Sequence, residues 1–158
     1  MRSATTEAEL ESFQKALLDS LERVSACLVG LTAQQLNWRP PAPEANSLYV
    51  LASHIMGNIE ENVLAFASGL PSNRDRPAEF VAQGEAADAL IQRAGELAAR
   101  VREAVGRLSL ADLDVMRTHP RFGQITAREV LMVPVRHAAE HIGQMELTRD
   151  LAKAAGAS

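Results

Sequence analysis

The chain has 158 residues, of which 47% are hydrophobic and 23% charged, and its formal net charge is −4. This balance is typical of a folded globular protein and excludes a disordered chain. A phosphate-backbone partner requires a concentrated basic face, so the acidic balance argues against nucleic-acid binding. Cys27 is the single cysteine, which excludes an intramolecular disulfide and a thiolate zinc cluster.

The length predicts one domain that spans residues 1–158, because a chain of this size buries a substantial core without staples. No apolar run approaches the roughly 18–20 residues that cross a bilayer. The N-terminal segment also lacks the basic-then-apolar pattern of a signal peptide. We therefore expect a cytoplasmic protein with no membrane partner.

The first predicted helix is long, since apolar residues recur on one helical face from Leu10 to Leu31. Thr32 and Gln35 then match a capping box that opens a short helical turn. Residues 38–43 contain three prolines, which favour an extended linker.

The second predicted helix begins after Ser47, a favourable N-cap residue, and continues to Gly69. A polar linker of residues 69–85 follows, and we interpret its Arg74 and Arg76 as exposed charges that favour solubility. The third helix is predicted from an apolar repeat at Leu90, Ala94, Leu97, Val101, Ala104 and Leu108.

The fourth predicted helix opens at a Thr126–Glu129 capping box and continues to about Leu151. Residues 109–124 carry turn residues without helical periodicity, and no strand of convincing length is evident. Four amphipathic helices of this kind predict an all-α four-helix bundle. The linker of residues 69–85 can extend about 50 Å at roughly 3.3 Å per residue, so a crossover connection is permitted.

The stretch HAAEHIGQ in the fourth helix carries His137 and His141 four residues apart. Residues at this spacing share one helix face, so the two imidazoles can converge on one ion. The same face includes the apolar Val130 and Met145, which predicts that the histidines point into the bundle. Buried imidazoles each need a partner for a ring nitrogen, and a metal ion supplies it.

A third ligand is expected from another helix, and His54 borders the apolar stripe of the second helix. Three neutral histidines suit Zn²⁺ or Ni²⁺ and leave a coordination position for water or substrate. Asn58 and Glu61 share the face of His54 and are candidates for the pocket wall. Gln144 is a candidate to orient an imidazole from the second coordination shell.

Other interpretations of these residues are open at this point. The histidines could instead be hydrogen-bonded core residues or surface residues that bind no metal, because their spacing also arises by chance. The H-x-x-E-H pattern would make Glu140 the general base of an inverted zinc protease, but only 17 residues follow His141 to supply the further ligand. Cys27 is expected as a small buried residue, with a fourth metal ligand or a reactive thiol as its alternative. His119 is expected as an exposed turn residue, with closure over the pocket as its alternative.

These motifs together resemble the DinB/YfiT-like superfamily. The resemblance lies in the histidine pair with Gly143 and Gln144, in the single His54 early in helix two, and in the preceding Leu-Asn-Trp-Arg-Pro at 36–40. It implies a bundle in up-down-down-up order and a metal held by His54, His137 and His141. The superfamily includes bacillithiol transferases and the mycothiol-dependent maleylpyruvate isomerase.

The resemblance leaves the reaction open, and our leading hypothesis is a metal-dependent enzyme that moves a low-molecular-weight thiol, its co-substrate, onto a small-molecule electrophile. One alternative is a non-catalytic metal-binding or stress-response bundle that acts through dimerisation. Another is a hydrolase in which the same metal activates water. A homodimer is expected under each of these hypotheses.

Overall fold

The computed structural model describes residues 4–156, and the side chains from residue 8 onward. Helices dominate this part of the chain: α1 Ala4–Leu28, α2 Ala33–Asn37, α3 Leu48–Ile59, α4 Arg76–Glu79, α5 Asp88–Gly106, α6 Leu110–Leu113 and α7 Ala127–Ala154. A π-helical segment, Glu60–Ala67, continues α3 directly. None of the helices within residues 4–156 combines the length and the apolar character that crossing a bilayer requires.

Side-chain caps fix where several helices begin, as the sequence predicts. Thr32 and Gln35 form a reciprocal capping box at the start of α2, and Thr126 and Glu129 form another at the start of α7. The Ser47 hydroxyl accepts a backbone N–H at the start of α3. Each cap satisfies N–H groups that have no partner inside the helix, so these boundaries are determined locally.

Four long helical rods pack into the predicted bundle. The α1 helix packs against α5 and α7, and α3 with its π continuation packs against α7 and α5. The predicted apolar stripe of α5 is buried along its length, and Leu17 and Val24 of α1 are fully enclosed. Each buried leucine or valine contributes about 1.5–3 kcal/mol when it leaves water, so the apolar stripes account for the stability of the bundle.

The π-helical segment departs from the prediction of one uninterrupted α-helix up to Gly69. The apolar residues Val63, Leu64 and Ala67 are buried, so the core pattern is kept although the turns are wider. A π turn bonds residue i to i+5, and periodicity at 3.6 residues per turn cannot reveal it. Such segments are frequent at functional sites, and this one carries two side chains of the cavity described below.

A small antiparallel hairpin corrects the expectation that residues 109–124 hold no strand. Strand β1 spans Met116–His119 and pairs with β2, Gly123–Thr126, with His119 opposite Gly123. Gly123 has a φ of 70°, a left-handed conformation that side-chain-bearing residues rarely adopt. Strands of four residues are too short to produce a clear alternation in the sequence. The hairpin is an addition to the bundle and lies beside the site.

Candidate metal centre

The three histidines singled out by the sequence lie together between α3 and α7. His54 comes from α3, while His137 and His141 come from successive turns of α7. One ligand-capable nitrogen from each ring lies within 4.8 Å of those of the other two. His54 Nε2 and His137 Nε2 are 2.9 Å apart. The packing of α3 on α7 therefore brings together residues that are 83 positions apart in the chain.

Hydrogen bonds to the outer nitrogens determine which way two of these rings present their lone pairs. His54 Nδ1 donates to Glu79 Oε2 at 2.8 Å, and His141 Nδ1 donates to Gln144 Oε1 at 2.7 Å. With the single proton of an imidazole ligand on Nδ1, the lone pair of Nε2 in each ring is the one that can bind a metal ion. Metal-binding histidines have this arrangement, because the second nitrogen is held by a carboxylate or carbonyl oxygen.

His137 is held in the neutral form that a ligand requires. Burial, reinforced by the neighbouring His141 and His54, lowers the pKa of His137 to about 3. Its Nδ1 is buried and has no hydrogen-bond partner among the described residues. Its Nε2 meets the lone pair of His54, a contact that is favourable only with a proton or a cation between the two nitrogens.

The donor set therefore fits a divalent metal ion. Zinc and nickel accept neutral imidazoles, and zinc–nitrogen bonds of about 2.0–2.1 Å place tetrahedral ligands roughly 3.4 Å apart. One nitrogen–nitrogen separation in the cluster is 2.9 Å and the others do not exceed 4.8 Å, so the spacing of the three rings is compatible with a shared ion. Three protein ligands are typical of open catalytic sites, whereas structural zinc sites close with four.

A buried ion-pair network contacts His54 at Nδ1, the ring nitrogen that does not face the cluster. Arg74 Nε donates to Glu79 Oε1 at 2.8 Å, and Arg74 Nη1 donates to Glu61 Oε2 at 2.8 Å. Burial favours the protonated acid, but hydrogen bonds from His54 and Arg74 outweigh it and lower the pKa of Glu79. Glu79 thus stays ionised and accepts a hydrogen bond from His54 Nδ1–H. The side chain of Arg74 is only 5% exposed, so the expectation that it is a solubilising charge was wrong.

Glu79 is a site residue that the sequence reasoning missed. It ends the short helix α4, in which Asp75 is the N-cap and Pro77 occupies the first turn. An aspartate followed two residues later by a proline is a helix-start signal, and it indicates a short helix within the polar linker. Nothing local indicates that Glu79 and Arg74 fold back onto α3.

Gly57 provides the space in which the Glu79 carboxylate lies. A Cβ at Gly57 would lie 1.9 Å from Glu79 Oε1 and 3.0 Å from Arg74 Nε, so the pair would have to move. We expect Gly57→Ala to weaken zinc binding roughly tenfold through loss of the acceptor for His54. We also expect it to cost about 1–3 kcal/mol of unfolding free energy despite better helix propensity.

Equilibrium denaturation and zinc titration measure both effects, and Gly95→Ala is the matched control. Gly95 also lies inside a helix, but a Cβ there meets nothing within 4 Å. The control is expected to leave zinc affinity unchanged and to gain about 0.5–1 kcal/mol. Equal behaviour of the two variants would contradict the role assigned to Gly57.

The histidine cluster opens into a cavity of about 1050 Å³. Asn58 and Glu61, predicted for the pocket, both line it, as does the exposed Glu140. Apolar walls come from Phe80 of the linker and from Phe122 of the hairpin turn, among others. The volume is in the range that accommodates small-molecule ligands, and all three imidazoles belong to the cavity lining.

His119 lies buried in the same cavity wall, which corrects the expectation of an exposed turn residue. It is 6% exposed, and burial lowers its pKa. The Arg121 backbone N–H donates to His119 Nδ1 at 3.1 Å, so His119 Nε2 carries the proton and donates to Asn62 Oδ1 at 3.1 Å. Both nitrogens are engaged, and His119 is outside the cluster. Asn62 lies in the π-helical segment, 57 residues from His119, so proximity in the sequence could not indicate this contact.

Cys27 is buried in the bundle core and has no disulfide partner. Burial raises its pKa, which disfavours the thiolate that metal binding or nucleophilic chemistry requires. It does not belong to the histidine cluster. The structure therefore agrees with its interpretation as a small core residue.

Solved structures share this fold over nearly the whole chain. A DinB-like protein from Bacillus cereus is 22% identical, with a TM-score of 0.72 and coverage of 94% of this chain and 93% of that one. A conserved protein from Enterococcus faecalis is 20% identical, with a TM-score of 0.72 and coverage of 96% and 97%. At these identities the likeness establishes the architecture alone. No curated protein matches the sequence significantly.

A family model gives the sequence-level counterpart of this likeness. The model of the DinB superfamily matches residues 16–145, which run from the middle of α1 into α7 and include all three clustered histidines. The match and the helical architecture agree with the resemblance drawn from the motifs. The chain belongs to the DinB superfamily.

Proposed function

We propose that this protein is a metal-dependent S-transferase that joins a low-molecular-weight thiol to a small electrophile. The observation that carries the proposal is the cluster of three histidines on the wall of a cavity of about 1050 Å³. A purely structural metal site would be closed by a fourth protein ligand, and it would not need a cavity beside it.

A zinc or nickel ion held by His54, His137 and His141 would lower the pKa of a bound thiol and provide a thiolate near neutral pH. The protein's own groups then have separate tasks. Glu79 and Gln144 orient two of the rings through the hydrogen bonds described above. Phe80 and Phe122 offer apolar surface to the electrophile and limit the access of water.

The overall reaction is balanced without a further reactant. The thiol loses its proton to solvent, its sulfur forms a bond to the electrophilic carbon, and the leaving group departs with the electron pair of its broken bond. For an aryl chloride the products are a thioether, chloride and a proton. No oxidant or reductant is needed.

The proposal is tested by thiol consumption with chloro-dinitrobenzene and either 2-mercaptoethanol or a sugar-linked thiol. We expect zinc- or nickel-loaded protein to accelerate thioether formation by at least about a hundredfold over buffer, since thiolate supply and positioning each contribute such factors. Chelation is expected to abolish the acceleration, and metal return to restore it. Metal-loaded protein that leaves every thiol and electrophile unreacted would contradict the proposal.

A hydrolase with the same centre is the second candidate, favoured by the same cluster because three ligands also suit an activated water. Nitrophenyl acetate without thiol is the discriminating substrate. Chelator-sensitive release of nitrophenol, without thioether formation in the other assay, would replace the transferase with a hydrolase.

A further inference from the structure

Three arginines from separate segments line the cavity that contains the histidines. Arg76 begins α4, Arg121 lies in the turn between β1 and β2, and Arg136 precedes His137 on α7. We propose that they form a recognition site for an anionic group, so that one reactant of the transferase carries a carboxylate or a similar anion. The naming of a reactant rests on the proposed function, whereas anion binding itself does not.

None of the three arginines is neutralised within the described part of the chain. The ion pairs closer than 4.0 Å among described side chains all involve other cations. Arg74, which lines the same cavity, shows the contrast because Glu79 and Glu61 both bind it. The guanidinium groups of Arg76, Arg121 and Arg136 thus keep N–H donors available for a ligand.

Aromatic rings hold two of these guanidinium groups at the cavity wall. Arg76 Cζ lies 5.1 Å from the centroid of the Phe80 ring, and Arg121 Cζ lies 5.2 Å from that of Phe122. Stacking on a ring face restrains the planar group and leaves its edge N–H groups free for a carboxylate. Partial immobilisation before binding reduces the entropy lost when an anion is bound.

The charge of the cavity is opposite in sign to that of the protein. Glu61 is engaged by Arg74, so Glu140 is the carboxylate left to oppose the three arginines among the described residues that line the cavity. The whole chain carries a formal charge of −4, and a positive cavity within it is therefore a local feature. A concave site of one sign concentrates ligands of the other sign.

The ligand class follows from what surrounds the arginines. Phe80, Phe122 and Val133 supply apolar surface in the same cavity, and Arg136 is adjacent in sequence to His137 of the cluster. A molecule that fits all three features has an anionic group, an apolar portion and a sulfur or electrophilic centre. A cavity of about 1050 Å³ has room for such a molecule.

Binding of two matched probes tests the anion site without catalysis. Benzylthioacetate carries an aryl group, a thioether sulfur and a carboxylate, and benzylthioacetamide replaces the carboxylate by a neutral amide. By calorimetry with metal-free and zinc-loaded protein, we expect the carboxylate to bind about tenfold more tightly than the amide in both forms. Persistence in the metal-free form shows that the preference comes from the arginines and not from carboxylate–zinc bonding.

Single Arg121→Gln and Arg136→Gln variants are expected to reduce the preference by about three- to tenfold each. Arg107→Gln is the matched control, because it makes the same change of charge at an exposed residue outside the cavity. An equal loss in the control would show a general effect of net charge and overturn the site. Equal affinities of the two probes for the unmodified protein would overturn it too.

Two kinetic comparisons then identify which reactant carries the anion. Mercaptopropionate is compared with mercaptopropionamide at a fixed neutral electrophile, and bromomethylbenzoate with bromomethylbenzamide at fixed mercaptoethanol. A kcat/KM advantage of the charged partner in one comparison, lost in Arg136→Gln, assigns the anion to that reactant. An active transferase that ignores charge in both comparisons overturns the link to the reaction. Absence of any transfer, with probe preference intact, refutes the proposed function and leaves the anion site standing.

Discussion

Alanine in place of His137 is expected to abolish most zinc binding while the helical fold persists. His137 Nε2 faces His54 Nε2 at 2.9 Å, so its loss removes a central donor of the three. Four-ligand zinc sites bind with roughly 10–16 kcal/mol, or several kcal/mol for each ligand. Affinity should therefore fall by more than about a hundredfold.

The fold should tolerate the change because the apolar stripes of the bundle do not include this ring. The neutral ring also leaves Nδ1 buried without a partner among the described residues, so its removal relieves a cost as well as creating a small void. We expect the metal-free variant to differ from the metal-free parent by about 1 kcal/mol or less.

Elemental analysis and zinc titration, together with circular dichroism, measure these effects. His119→Ala is the matched control, since His119 lines the same cavity but uses both ring nitrogens for hydrogen bonds outside the cluster. The control should keep its zinc and lose stability. Stoichiometric zinc in His137→Ala would refute the ligand assignment.

The parts of the structure that depend on neighbours in sequence were predictable. The capping residues Thr32, Ser47 and Thr126 each act on N–H groups within the next three residues, so a short pattern is sufficient. The burial of apolar stripes follows from helical periodicity in the same way. The proximity of His54 to the α7 pair was inferred from its position beside such a stripe.

The contacts that escaped prediction join segments without a shared period. Arg74 and Glu79 lie in a linker whose polar composition indicates a solvated loop, yet they cover His54 from behind. His119 becomes buried through Asn62, which lies 57 residues away in a π-helical segment. Charged and polar pairs of this kind are specified by tertiary geometry, and neither composition nor periodicity encodes their partners.

Removing the Glu79 carboxylate should produce the largest loss of stability among these variants. The side chains of Glu79 and Arg74 are 6% and 5% exposed, and Glu79→Ala leaves the guanidinium with Glu61 as its remaining carboxylate. Breaking one side of a buried ion pair costs about 3–5 kcal/mol, because a charge stays buried with less compensation. Zinc affinity should fall roughly 10- to 100-fold as well, since His54 Nδ1 loses its acceptor.

A double variant separates the two consequences. Arg74→Met with Glu79→Leu replaces the pair by apolar groups of similar volume, a change that is often neutral or stabilising. Glu61 is 33% exposed and can be solvated when its partner is gone. We therefore expect the double variant to regain most of the stability lost in Glu79→Ala but none of the zinc affinity, because the acceptor for His54 is still missing.

Chemical denaturation of the metal-free proteins gives the stabilities, and competition with a chromogenic chelator gives the zinc affinities. Glu103→Ala is the control, since its pair with Arg107 is mostly exposed and should change stability by less than about 1 kcal/mol. If the double variant recovered zinc affinity together with stability, Glu79 would act on the site only through folding. If affinity stayed low in a stable protein, the carboxylate would act by orienting His54 toward the metal.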